Sequence, residues 1–175
     1  KDGSLSYFIK RYDRTGRNDK IHVEDFAQLA GETRETKYNY SVERLINLID
    51  ENCTFPLIEK IKFLKHFLFN FLVGNEDMHL KNYSIISQND KIELCPAYDF
   101  LNSSIVLGKD VEETALALKG KKKNMTKQIL IDYLGLERLK LNQKVIDQTL
   151  KELQTAIPSW YELIQKSFLS QVLED

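Results

Sequence analysis

Residues 74–82 read Gly-Asn-Glu-Asp-Met-His-Leu-Lys-Asn, and residues 83–100 continue as Tyr-Ser-Ile-Ile-Ser-Gln-Asn-Asp-Lys-Ile-Glu-Leu-Cys-Pro-Ala-Tyr-Asp-Phe. Tyr83 to Ser87 is rich in β-branched and aromatic residues, and Lys91 to Cys95 alternates apolar with polar. Gln88-Asn89-Asp90 between them has turn composition, so the stretch predicts a β-hairpin. A hairpin returns its second strand roughly 5 Å from its first. Asn82, just before the first strand, and Asp99, just after the second, therefore arrive at one open end. Asp77 precedes Asn82 by five positions, the spacing of a phosphotransferase loop in which Asp handles a hydroxyl proton and Asn holds magnesium. Two hard oxygen ligands beside Asp77 suit Mg²⁺, which completes its shell with phosphate oxygens and water. As bare residue types, Asp77 and Asn82 are also ordinary turn formers and Asp99 an ordinary helix cap. Their context separates them: a helix end before, a hairpin after, and Tyr98-Asp99-Phe100 in answer.

Upstream of that stretch, Leu57, Ile61, Leu64, Leu68, Phe71 and Leu72 recur at steps of three and four. They predict a long helix with Thr54 as its cap, Pro56 in its first turn and Gly74 at its end. Burying such side chains stabilises by ~1.5–3 kcal/mol each before entropy is subtracted, so this helix is a rigid mount for the loop. His66 inside it reads as a packed histidine. Val42, Leu45, Ile46 and Ile49 mark another helix over 41–51. A helix beginning at Val23-Glu24-Asp25 is expected to bury Phe26, Leu29 and Ala30 and to stop at Gly31. Leu5 to Arg11 predicts a strand running to Tyr12-Asp13-Arg14. Residues 32–40 are charged and irregular, and Lys37 and Tyr38 there are open between a site role and a solvated loop.

Downstream, Asn102-Ser103-Ser104 suggests a short helix or turn and Val106-Leu107-Gly108 a strand-like segment. The basic run Lys119-Gly120-Lys121-Lys122-Lys123 fits a solvated loop first, and a docking patch for peptide, phosphate or nucleic acid second. Helices follow from Thr126 and over Leu141 to Leu153. Ile157-Pro158-Ser159-Trp160 reads as a break and restart, after which Leu163, Ile164, Phe168 and Leu169 form an inner face.

Composition narrows the classes. The 175 residues are 42% hydrophobic and 29% charged with a net charge of −1, which argues against direct binding to nucleic acid by bulk charge. The two cysteines, Cys53 and Cys95, make no disulfide framework and fit a reducing cytoplasm. The longest apolar run, near Phe67 to Val73, is far below the ~20 residues of a membrane span.

The stretch 74–84, followed by Pro96-Ala97-Tyr98-Asp99-Phe100-Leu101, resembles the C-terminal catalytic part of HipA-like serine/threonine kinases. The form G-x-x-D-x-H-x-x-N is similar, more loosely, to phosphoinositide kinases and aminoglycoside phosphotransferases. Further resemblance lies in Lys10-Arg11-Tyr12-Asp13-Arg14, in Val23 to Gly31, in Lys37-Tyr38, in Trp160 and in Ser167-Phe168-Leu169, nearly the whole chain in the family's order. The resemblance implies a mainly α chain with a small β-hairpin (α+β), the large C-terminal lobe of a protein-kinase-like fold. Residues 1–14 would be a hinge strand from an N-terminal lobe not contained here, and 15–175 the helical catalytic lobe.

It further implies ATP-dependent, Mg²⁺-assisted phosphorylation of a protein hydroxyl, with autophosphorylation as an added expectation. Asp77 would be the base, and Asn82 and Asp99 would hold Mg²⁺ and bridge ATP. His79 would contact phosphate or brace the loop, and Lys81 would face phosphate or solvent. Lys10 and Tyr12 map to hinge contacts with adenine, although the family has Glu and Phe there. The implied partners are a protein substrate and an antitoxin or DNA-binding protein, with no membrane. The implied location is cytoplasmic, or alternatively that of a secreted effector acting in a host cell. Without a Gly-rich phosphate loop or a strand lysine before residue 10, these residues alone are expected to bind ATP weakly. Two rivals remain: a lipid or small-molecule kinase on the same site, and an inactive kinase lobe serving as an interaction or toxin module.

Overall fold

The structure, a computed structural model, describes residues 8–16, 19–107 and 112–168. Strands β1 (Arg14–Thr15) and β2 (Asp19–Lys20) form a short antiparallel ladder, and β3 (His22–Asp25), β4 (Ser84–Gln88) and β5 (Lys91–Leu94) form a sheet in the order β3-β4-β5. The helices are α1 (Phe26–Ala30), α2 (Val42–Asn52), α3 (Pro56–Leu72), α4 (Ser104–Leu107) and α5 (Gln143–Gln165), with a wide i→i+5 helix at Gln128–Arg138. Helix outweighs strand, as expected.

The hairpin forms because Asn89 and Asp90 both adopt left-handed backbone, φ 52° and 57°, which matches the twist of the strands they join. Register pairs Ile86 with Glu93 and Ser87 with Ile92. The other edge of β4 is covered by β3, from His22 opposite Ser87 to Asp25 opposite Ser84. Val23 and Glu24 are therefore strand, not the start of a helix. The helix begins one step later, where Asp25 accepts from the Gln28 N–H while the Gln28 side chain accepts from Asp25 N–H, a reciprocal cap. The acidic pair fitted both readings; an open strand edge on β4 decided between them. Gly31 ends α1 at φ 67°.

Helix α3 starts at Pro56 as expected, but Phe55 precedes it without a side-chain cap. Thr54 instead accepts from Ile92 N–H through its hydroxyl at 2.8 Å, tying β5 to the helix start. The buried face holds Phe63, Leu64, Phe67 and Leu68, while Leu57 and Leu72 are exposed. The face is rotated from the expected stripe because the apolar residues of α3 spread over a broad arc, and spacing alone does not choose among overlapping stripes. Glu59, nearly inaccessible, accepts from Leu94 N–H at 2.8 Å and pairs with Lys62 at 2.9 Å. A second pin thus fastens β5 to α3.

Helix α5 runs without a break through Pro158, contrary to the expected restart. Pro158 lies on the exposed side, where the carbonyl it leaves without a donor meets water. Trp160 packs edge-on to Phe69 at 5.3 Å, but Leu163 and Phe168 (86% exposed) do not face the interior; Leu169 lies outside the described residues. Val106 and Leu107 belong to α4 rather than to a strand, and Gly108 is outside the described residues. The expected N-terminal strand is absent over 8–13, and Leu5 to Tyr7 are outside the described residues. Phe8 and Ile9 are 91% and 66% exposed, so among the described residues their apolar side chains are left outside the core. The interior gathers Phe26, Leu45, Ile49 and Leu64 with Leu80, Leu134 and Ile146. Leu80 belongs to the loop after α3, so that loop is rooted in the core.

Candidate active site

The loop leaves α3 through Gly74, whose φ of 67° favours glycine. A Cβ there would also lie 2.6 Å from Ser104 Oγ. The Gly74 carbonyl accepts from the Ser103 and Ser104 N–H groups at 3.1 and 3.3 Å. Asn75 follows, 3% exposed. Its Nδ2 donates to Asn70 Oδ1 at 2.8 Å and to the Asp99 carbonyl at 3.0 Å, and its Oδ1 accepts from Asp77 N–H at 3.3 Å. One buried amide thereby connects α3, the Asp77 loop and Asp99. Sequence reasoning missed Asn75, and nothing marked it: an Asn after a helix-ending Gly is ordinary turn composition.

The Asp77 carbonyl accepts from His79 N–H at 2.9 Å and from Asn82 Nδ2 at 3.0 Å. The pair five residues apart is thus joined directly, and the amide orientation leaves Asn82 Oδ1 as the atom available to a cation. Met78 and Leu80 are buried on either side of His79. Asp99 is exposed with φ 59°. Besides Asn75 on its carbonyl, it is fixed through Tyr98, whose hydroxyl donates to the Lys81 carbonyl at 2.9 Å and lies 2.5 Å from Ser84 Oγ. These tethers seat Asp99 between the Asp77 loop and the head of β4.

His79 is 5% exposed. Its Nε2 lies 2.7 Å from Lys37 Nζ; an ammonium only donates, so Nε2 accepts and the ring proton sits on Nδ1. That Nδ1 is buried without a partner. Burial first, then Lys37, lowers the His79 pKa, while Asp77 and Asp99 pull the other way. The Tyr38 ring meets His79 edge-on at 5.0 Å, and its hydroxyl donates to Asp77 Oδ1. Burial first, then that bond and the charge of Asp77, push the Tyr38 phenol up to about 12. Lys37 and Tyr38, open in the sequence, are therefore part of the site. Lys81 is turned away: its Nζ pairs with Asp25 at 3.0 Å, at the junction of β3 and α1.

The two hinge positions lie to one side. Tyr12 stacks on Tyr98 with centroids 5.8 Å apart, and burial raises its phenol pKa. Lys10 is exposed. A cavity of about 600 Å³ opens between α3 and the hairpin, with His66, Phe69, Ile86 and Tyr98 among its walls. Asn82 lines it; Asp77, His79 and Asp99 do not. His66, beside it, is pushed down to about 4 by burial, and Phe100 packs edge-on to His66 and Phe69 at 5.4 and 4.9 Å. Among the described residues no three His, Cys, Asp or Glu side chains group as a metal cage. Hydrogen bonds join Asn82 to the Asp77 carbonyl and Asn75 to the Asp77 N–H and the Asp99 carbonyl, and the charges of Asp77 and Asp99 both act on His79.

Comparison with known proteins places these residues in a wider set. Residues 1–161 match the family of HipA-like C-terminal domains. The Sinorhizobium fredii protein named "Putative kinase Y4dM" is 32% identical over 148 residues, covering 82% of this chain and 35% of that protein. The Shewanella oneidensis serine/threonine-protein kinase toxin HipA is 30% identical over 124 residues, covering 60% of this chain and 28% of its own length. A solved complex of Shewanella oneidensis HipA and HipB with operator DNA contains a chain that matches at a TM-score of 0.71 and 25% identity. That match covers 86% of this chain and 39% of the other. The chain spans about a third of the length of these relatives.

Proposed function

The chain belongs to the HipA-like C-terminal domain family, and from that premise we propose that it carries the catalytic lobe of an ATP-dependent kinase acting on serine or threonine of proteins. One observation carries the reading above the others. The Asn75 amide ties the backbones of Asp77 and Asp99 together, and the Asn82 side chain is bonded to the Asp77 carbonyl, which supports a common site for the three residues. That arrangement suits a reaction that asks the protein for positioning and charge neutralisation rather than covalent chemistry.

In this reading Asp77 orients the acceptor hydroxyl and takes its proton. Asn82 Oδ1 and the Asp99 carboxylate would hold Mg²⁺, an ion that takes hard oxygen ligands of this kind and few of them from protein. An ion held there would supply positive charge to the phosphates of ATP. His79, enclosed and held by Lys37, braces the loop. Lys37 adds positive charge beside Asp77, while Lys81, paired with Asp25, contributes less than its loop position suggested. Backbone around Lys10 and Tyr12 receives adenine. A protein-kinase-like fold, a cytoplasmic setting and an antitoxin-type protein partner belong to the same proposal; the likeness to a HipA chain solved with HipB supports the last.

Transfer of labelled γ-phosphate from ATP to pooled serine- and threonine-containing peptides tests this, on these 175 residues and on protein extended to the length of the relatives. Transfer is expected chiefly from the longer protein and to fall by about 10²–10⁴-fold in Asp77→Asn. Equal transfer by wild type and Asp77→Asn would overturn the proposal.

A further inference from the structure

We propose that Tyr38 occupies the acceptor subsite of the free protein: its hydroxyl holds the place on Asp77 that a serine or threonine hydroxyl must take, so an acceptor binds by displacing it. This rests on the kinase reading above and adds to it a residue that sets the threshold for acceptor binding.

The hydroxyl of Tyr38 donates to Asp77 Oδ1. A phenol and a seryl or threonyl hydroxyl present the same O–H donor, and a base takes up its substrate through a hydrogen bond of that kind. Asp77 does not need this bond to be positioned. Its N–H is held by Asn75, and its carbonyl by His79 and Asn82. Its neighbours Met78 and Leu80 are buried. The phenol is thus an addition to a residue whose backbone is already set from behind.

The segment bearing Tyr38 is built to release it. Residues 32–39 contain turns but no helix or strand, braced locally by Thr33 N–H to Thr36 Oγ1 and Asn39 N–H to the Thr36 carbonyl. Tyr38 is 37% exposed, so its ring can swing outward without opening the core. Lys37 keeps separate holds, from its Nζ to His79 Nε2 and from its carbonyl to Leu80 N–H. A displaced Tyr38 therefore remains tethered beside the site and competes again when the acceptor leaves. The charged and titratable groups facing the phenol are Asp77, His79 and Lys37, whose Nζ lies 4.9 Å from the ring centroid.

Two measurements test the proposal. Ring-labelled tyrosine NMR on these 175 residues follows the Tyr38 titration in wild type and Asp77→Asn. The midpoint is expected to move from about 12 towards the ordinary tyrosine value when the charge is removed; an unmoved midpoint overturns the occupancy. Steady-state transfer from ATP to pooled serine- and threonine-containing peptides then compares wild type with Tyr38→Phe in the relative-length protein. Displacement predicts a several-fold lower KM for the peptides with kcat within about twofold. A lower kcat at unchanged KM would make Tyr38 a positioning residue for Asp77 and overturn the proposal. No transfer by either protein, with the titration shift present, overturns the kinase reading and the displacement with it. A missing titration shift beside normal transfer overturns this inference alone.

Discussion

The loop around Asp77 and the segment around Tyr12 flank the same candidate site, and they are held in opposite ways. Asp77 is fixed from behind by a buried amide, a helix end and two core side chains. Residues 8–13 have no regular structure, and Tyr12 is attached to the site by a ring stacked on Tyr98. The difference teaches which part of the geometry belongs to the chain's own packing. Groups proposed for proton transfer and metal binding rest on interactions that cost free energy to break. The proposed adenine contact rests on the Tyr12–Tyr98 stack, a Tyr12–Cys95 hydrogen bond and a backbone whose apolar neighbours, Phe8 and Ile9, face outward.

The largest effect that would break this contrast concerns chemistry. Asp99→Asn keeps the carbonyl that Asn75 holds and removes a charge from an exposed position. Phosphotransfer is expected to fall by about two orders of magnitude or more, the scale of removing one fixed group that stabilises transition-state charge, with an unchanged melting temperature. A large loss of melting temperature instead would mean that Asp99 is structural.

Acid should distinguish the two regions next. His66 packs beneath Phe100 and is neutral when buried, with a folded pKa near 4 against an ordinary 6.5. A depressed folded pKa means that its contribution is fully present above about pH 6.5 and is lost as pH falls through about 4. The full shift corresponds to about 3 kcal/mol. Urea unfolding at pH 7, 5 and 4 should show that His66→Leu loses less stability on acidification than wild type; parallel losses would contradict the assigned burial.

A smaller effect is expected for Asn75→Ala, about 1–3 kcal/mol from leaving buried partners unsatisfied, read by urea unfolding. Phosphotransfer should fall with it, because Asp77 and Asp99 lose their common tether. On the other side of the comparison, Tyr12→Ala is expected to cost only about 0.5–1.5 kcal/mol, the worth of one aromatic pair, and to raise KM for ATP more than it lowers kcat. If Tyr12→Ala proved more damaging than Asn75→Ala, the contrast would be reversed.

What was legible in the sequence follows the same division. The hairpin was readable because Asn89-Asp90 and the flanking alternation are local signals, and α2 because its buried stripe is clean. Helix α3 was readable as a helix but not in its orientation, since a broad apolar arc holds several overlapping stripes. Pro158 misled because proline's helix-breaking rule weakens where the missing bond faces water. Strand β3 was hidden, since its identity depends on the edge of β4 some sixty residues away in the chain. Asn75 was hidden as a hub because Asp99 lies on the far side of the hairpin, and Lys37 and Tyr38 were undecided because His79 and Asp77 come from a separate loop. Their roles come from partners, and partners are set by tertiary packing. Lys81, open between phosphate and solvent in the sequence, is paired with Asp25.

The central claim is that one divalent ion is held by Asn82 and Asp99 beside Asp77, and paramagnetic broadening by Mn²⁺–ATP tests it most directly. Backbone signals of residues 75–82 and 98–100 are predicted to broaden first, and to recover in Asp99→Asn and Asn82→Ala. Broadening centred elsewhere, or unchanged in those variants, would contradict the account.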